Sequence, residues 1–124
     1  MEPPEPQMLK GALTLLLLSL LAEEEDYGYA VVQRLRAAGL DGAGEGSVYP
    51  ALARLESRQL LEARLVPQGR GPARRYYRVS PAGLAELDRL RRSWRAVTAV
   101  VATVDAPALA PRPHATTAPT GRTA

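Results

Sequence analysis

Gly46-Ser47-Val48-Tyr49-Pro50-Ala51-Leu52-Ala53-Arg54-Leu55-Glu56 is the stretch on which the fold turns. Val48, Leu52 and Leu55 recur at i, i+4 and i+7, the spacing of one buried face of a helix. The other face carries Ser47, Tyr49, Arg54 and, beyond it, Arg58, donors suited to phosphate oxygens and base edges. A strand-like run follows over Leu61–Pro67, where Leu61, Ala63 and Leu65 alternate with Glu62, Arg64 and Val66. Then come a basic loop, Gln68-Gly69-Arg70-Gly71-Pro72-Ala73-Arg74-Arg75, and a return strand over Arg75–Val79. Helix, strand, basic loop, strand is the order of a winged helix-turn-helix, whose helix enters the major groove of DNA while the wing rides on the backbone or minor groove.

Working outward, Met1–Gln7 is acidic and Pro-rich and is expected to be a disordered arm. A first helix is expected over about Met8–Ala22, with Leu9, Leu13, Leu16, Leu17, Leu20 and Leu21 on one apolar face. Leu15 and Leu18 lie away from that face, and a helix apolar nearly all round needs burial on two sides, so they are expected to meet a second subunit. Glu23–Asp26 reads as a solvated loop, and a second helix spans about Tyr29–Ala38, with Val31, Val32 and Leu35 inward and Gly39 as its stop. The third helix begins somewhere in Gly44–Ser47 and runs to Gln59. Pro50 has no N–H, which costs least in a first turn, and that favours a start near Ser47 as N-cap. Ser80-Pro81 opens a last helix that runs to about Val104. Along it Leu87, Leu90, Trp94, Val97, Val101 and Val104 are spaced as the a/d seam of a helix pair, which predicts a homodimer. The expected fold class is mostly α (α+β). It comprises an arm 1–7, a winged helix-turn-helix domain 8–80, a dimerisation helix 81–105 and a disordered Pro/Ala/Thr-rich tail 106–124.

Charge is segregated along the chain. Residues 1–46 hold three basic and eight acidic side chains, whereas residues 47–79 hold seven and two, so an overall charge of +3 conceals a positive middle. Every basic residue but Lys10 is Arg, the side chain shaped for bidentate phosphate or guanine contact. The partner this implies is double-stranded DNA, contacted by Ser47, Tyr49, Arg54 and Arg58 on the helix, by Arg70, Arg74 and Arg75 on the wing, and by Lys10 from the first helix. There is no Cys, and the single His, His114, falls in the tail. No nucleophile–base pairing, metal-ligand cluster or phosphate-binding Gly-rich loop is present, so neither an enzyme nor a cofactor is expected. The apolar run Gly11–Ala22 is too short to span a bilayer and lacks the flanks of an export signal. A cytoplasmic, nucleoid-associated protein is the expectation. The alternative is a winged-helix module that binds protein rather than DNA, against which the basic wing speaks.

Three stretches carry a family resemblance. Tyr27-Gly28-Tyr29, then Gly46–Glu56, then Gly71-Pro72-Ala73-Arg74-Arg75-Tyr76-Tyr77-Arg78-Val79-Ser80-Pro81-Ala82-Gly83 occur in the order and at the separations of motifs in the PadR family of bacterial transcriptional regulators, which the chain resembles over about Met8–Val104. Ser47, Val48 and Val79-Ser80 stand where the family has Thr, Leu and Leu-Thr. The resemblance implies a homodimeric regulator, most simply a repressor on an inverted-repeat operator, and a third helix that starts nearer Gly44 with Pro50 deeper inside. The single long C-terminal helix is similar to that of the family's shorter subgroup. Trp94 has two readings: its place in the a/d seam makes it a plain dimer contact, while the resemblance implies that, paired with its copy, it flanks a pore for an aromatic small-molecule effector.

Overall fold

The structure, a computed structural model, describes residues 4–109. The expected arm is shorter than its composition suggests. Glu5 accepts from the N–H groups of Gln7 and Met8 at 3.0 and 3.1 Å, so the first helix, α1, already begins at Pro6 and runs Pro6–Glu23. Leu13, Leu17, Leu18 and Leu21 are its buried residues. A two-residue strand β1 (Asp26–Tyr27), helix α2 (Gly28–Ala37), helix α3 (Glu45–Ser57), strands β2 (Leu61–Val66) and β3 (Arg74–Val79), and helix α4 (Pro81–Leu109) follow. α4 thus continues past Ala106, where the tail is expected to begin. His114 and the rest of 110–124 lie outside the described residues, as do residues 1–3 of the arm.

α1 packs against α2, α3 and β3, and the core forms where they meet. Leu17, Leu18, Val31, Val32, Leu35, Val48, Leu52, Leu55, Leu61 and Leu87 are sealed from solvent there. Each such Leu or Val contributes roughly 1.5–3 kcal/mol relative to exposure. The sheet is antiparallel in the order β1-β3-β2. The wing hairpin pairs Leu61 with Val79 at its base and Val66 with Arg74 at its mouth, which leaves 67–73 as the wing loop. Alternation along β2 holds at Leu61 and Ala63 but fails at Leu65, which is exposed where the hairpin leaves the core.

Helices α2 and α3 form the helix-turn-helix. α2 ends in a Schellman cap, with Leu40 N–H on Leu35 O at 3.0 Å and Gly39 at φ 117°, where glycine carries no Cβ penalty. The Arg36 Nε–H donates to Ala43 O at 2.8 Å and pins the intervening turn. α3 ends the same way, Leu60 N–H on Leu55 O at 2.9 Å, but with Gln59 at φ 63°. A junction forms at this point. Ser80 Oγ donates to Gln59 O at 2.7 Å and accepts from Gly83 N–H at 3.0 Å, capping α4. Ser80 N–H meets Leu60 O at 3.0 Å, and a Cβ built on Gly83 would sit 2.1 Å from that same oxygen. The end of α3, the start of β2 and the first turn of α4 thus share one knot.

The chain divides into two units, Met1–Arg91 and Arg92–Ala124, and α4 runs from the first into the second. The seam expected along α4 divides with them. Leu87 is buried and Leu90 half-buried against the core of the first unit, so Leu87 offers no surface to a partner. Leu18 likewise faces the core and not a second subunit, because α2, α3 and β3 together enclose a wider arc of α1 than one apolar face. Leu15 is half-buried against the same core. In the second unit Trp94, Val97, Val100, Val101 and Val104 are exposed.

Candidate nucleic-acid interface

α3 begins at Glu45, with Gly44 as N-cap, not at Ser47. Pro50 therefore sits inside the helix, and the missing hydrogen bond falls on the carbonyl of Gly46, an exposed residue. Ser47 is within the first turn, its Oγ donating to Gly44 O at 3.2 Å. Val48, Ala51, Leu52 and Leu55 fix the inner face. Ser47, Pro50 and Arg54 consequently point outward together, and with Lys10 of α1 they line one groove of about 900 Å³. Residues far apart in sequence meet here: Lys10, Ser47 and Arg54 share one surface.

Arg58 is not on that surface. It is the C-cap of α3 and turns to α4, 3.8 Å from Glu86. Glu86 also binds Arg89 at 2.7 Å, and these guanidinium groups hold its carboxyl below the usual carboxylate range. Tyr49 leans the other way, toward the start of α2. A Cβ on Gly28 would approach its ring to 2.7 Å, so only glycine lets the ring lie there. Burial, followed by the charge of Glu45, pushes the Tyr49 phenol upward, and it stays a neutral donor.

The wing arginines have three different surroundings. Arg70 is exposed in the loop, with no ion pair among the described residues. Arg74 stacks its guanidinium 4.4 Å over the Tyr27 ring, and Tyr27 is tilted against Tyr76 with centroids 5.3 Å apart. Arg75 is tied to Glu56 of α3, a bond that fastens the wing to that helix and raises the arginine's already high pKa. Tyr77 faces inward and packs against the core.

Acidic residues of the first half neutralise other arginines. Glu25 accepts from Arg64 at 2.7 and 3.0 Å, which lowers its pKa. Glu62 accepts from Arg78 at 2.9 Å. Arg34 ties the end of α1 to the next strand and helix, donating to Leu20 O at 2.9 Å, Glu23 at 3.0 Å and Asp26 at 3.3 Å. The stretch Glu23–Asp26 is thus a clamp rather than a solvated loop. Four of the seven arginines between 47 and 79 are engaged in ion pairs, so the positive charge left for a ligand concentrates on Arg54, Arg70 and Arg74. Arg34, Glu25, Glu56 and Gly28 escape a reading of the sequence because their partners lie 8 to 39 residues away or on another element. Among the described residues there is no cluster that could hold a metal ion, and no helix is long and apolar enough to cross a membrane.

A helix-turn-helix with an arginine-bearing outer helix face and a basic hairpin wing defines a winged-helix DNA-binding protein. Residues 17–89 match the model of the Transcriptional regulator PadR-like family, and the chain belongs to that family of transcriptional regulators, which are not enzymes. It is 40% identical over 86 residues to Transcriptional regulator Rv3488 of Mycobacterium tuberculosis, a match covering 68% of this chain and 77% of that protein. Among solved structures, a PadR-like transcriptional regulator of Bacillus cereus is 37% identical with a TM-score of 0.71, covering 79% of this chain and 95% of the other. A PadR family regulator of Eggerthella lenta is 32% identical with a TM-score of 0.74, covering 80% and 86%.

Proposed function

We propose that the protein is a cytoplasmic, nucleoid-associated homodimeric repressor that reads an inverted-repeat operator with α3. One observation carries this reading. Arg54 stands with Ser47 and Lys10 on one groove and has no ion pair among the described residues, while Arg58, Arg64, Arg75 and Arg78 of the same basic stretch are paired. A cation held on a rigid helix without a counter-ion is an unfinished contact, and a phosphate or a guanine edge completes it. Arg70 at the wing adds a backbone contact beyond the groove. The exposed seam of α4, Trp94 with Val97, Val101 and Val104, is the surface proposed to pair two copies. An aromatic effector bound between the two Trp94 rings would act by changing the spacing of the two α3 helices.

Fluorescence anisotropy on the DNA upstream of the protein's own gene, against a scrambled duplex, tests the reading. The parent protein is expected to prefer the upstream DNA. Arg54→Ala is expected to cost about tenfold or more in affinity, in line with roughly 1–3 kcal/mol for a base contact. Equal binding to both duplexes, unchanged by Arg54→Ala, would overturn the assignment of α3. Titration with phenolic and cationic aromatic compounds, read through the single tryptophan, tests the effector. Quenching of Trp94 without any change in DNA affinity would remove the regulatory role.

A further inference from the structure

A hollow of about 220 Å³ lies where α2, α3 and β3 meet, walled by Tyr27, Tyr29, Tyr49 and Tyr77 and by Arg74 and Arg75. It is smaller than the roughly 300–1,000 Å³ of a pocket for an organic ligand, and it is open to solvent. We propose that this hollow seats one phosphate of the DNA backbone, with the hydroxyls of Tyr29 and Tyr49 and the edge of Arg74 as its donors. The inference rests on the DNA-reading assignment of α3 and says where the backbone strand runs between that helix and the wing.

The geometry supplies three reasons. First, Arg74 gives its face to Tyr27 at 4.4 Å, and stacking leaves the in-plane N–H groups of a guanidinium available. Arg74 has no ion pair among the described residues, whereas its neighbour Arg75 is neutralised by Glu56. The hollow therefore holds one uncompensated cation. Second, the stack is braced, because Tyr27 leans on Tyr76 and both belong to paired strands. The cation is thus held in place before any ligand arrives. Third, Tyr29 and Tyr49 are about half exposed, at 50% and 43%, so each ring is wall and each hydroxyl can face the mouth. Gly28 is what allows this, since any side chain there would displace the Tyr49 ring. Two carboxylates oppose an anion here: Glu56, which is held by Arg75, and Glu45, felt by Tyr49. Glu45 lies on the exposed first turn of α3 and its effect is screened by solvent.

Tyr29→Phe, Tyr49→Phe and Arg74→Gln test the assignment by anisotropy on two probes, the upstream fragment and a random-sequence duplex, across a salt series. A backbone contact carries no sequence information, so each variant is expected to lose affinity about three- to tenfold on both probes alike. Arg74→Gln is also expected to reduce the salt slope by about one. Thermal melting checks that each variant is folded. Parent-like binding by both Tyr29→Phe and Arg74→Gln, with Arg54→Ala still impaired, overturns the phosphate seat and leaves the reading of α3 standing. A loss confined to the upstream fragment makes these base contacts and equally overturns it. A parent protein that binds neither probe sinks the seat together with the reading on which it rests.

Discussion

Arg54 and Arg64 stand on successive elements and serve opposite ends. Arg64 is spent inside the molecule, gripping Glu25 through two hydrogen bonds and holding β2 to the segment before β1. Arg54 makes no ion pair among the described residues and is the side chain proposed to meet DNA. Nothing in the local sequence separates the two, because the difference lies in a carboxylate 39 residues away. Composition therefore shows that the middle of the chain is basic, and only the fold shows which cations are already satisfied. The Glu25–Arg64 pair has a consequence that can be measured. The carboxylate is stabilised in the folded state, so its pKa lies lower folded than unfolded, and the stability it confers is present at neutral pH and lost as pH falls through the carboxylate range. The gap in melting temperature between the parent and Glu25→Gln is expected to be largest at neutral pH and to close in acid. Because the Arg64 side chain is exposed and Glu25 is only half-buried, the gap should also shrink in high salt. A gap independent of pH would mean that Glu25 acts through packing and not through charge.

Among elements, α3 shows where local reading and fold diverge. Pro50 argues for a helix that starts beside it, but the helix begins at Glu45, and its face of Val48, Ala51, Leu52 and Leu55 is buried. Burial of that face outweighs one missing hydrogen bond at an exposed carbonyl. The strain that remains predicts a gain. Pro50→Ala restores the bond to Gly46 O and is expected to stabilise the protein by about 1 kcal/mol, roughly 4–8 °C in Tm for a domain of this size. A lowered Tm would show that the proline is part of how α3 seats. The long elements were legible because their periodicity runs for several turns: α1, α2, the wing strands and α4 fall within a few residues of their expected places, α4 extending furthest beyond its expected end. β1 was not legible, since two residues carry no period. It exists because Tyr27 has Tyr76 to pair with.

At the scale of the whole molecule, the a/d spacing along α4 is real but serves two masters. A heptad pattern reports which residues want burial and not whose surface buries them. Leu87 finds its partner in its own chain, while Val97, Val101 and Val104 remain exposed in the second unit. Substitutions on the two halves should therefore fail differently. Val97→Glu with Val101→Glu is expected to give a folded monomer by light scattering, with weakened DNA binding and an intact circular dichroism spectrum. Leu87→Ala is expected to destabilise the fold by about 2–5 kcal/mol whatever the oligomeric state. A dimer that survives the paired glutamates would move the interface elsewhere.

Ser80, Gln59, Leu60 and Gly83 form the shared knot, and none of them lines the groove of Lys10, Ser47 and Arg54. The knot and the groove residues proposed to read DNA are thus carried by separate side chains. Duplicated copies of such a gene could exchange the outward residues one at a time at little cost in stability, so divergence of target can outrun divergence of architecture, and a lineage can acquire new regulatory circuits on an unaltered scaffold.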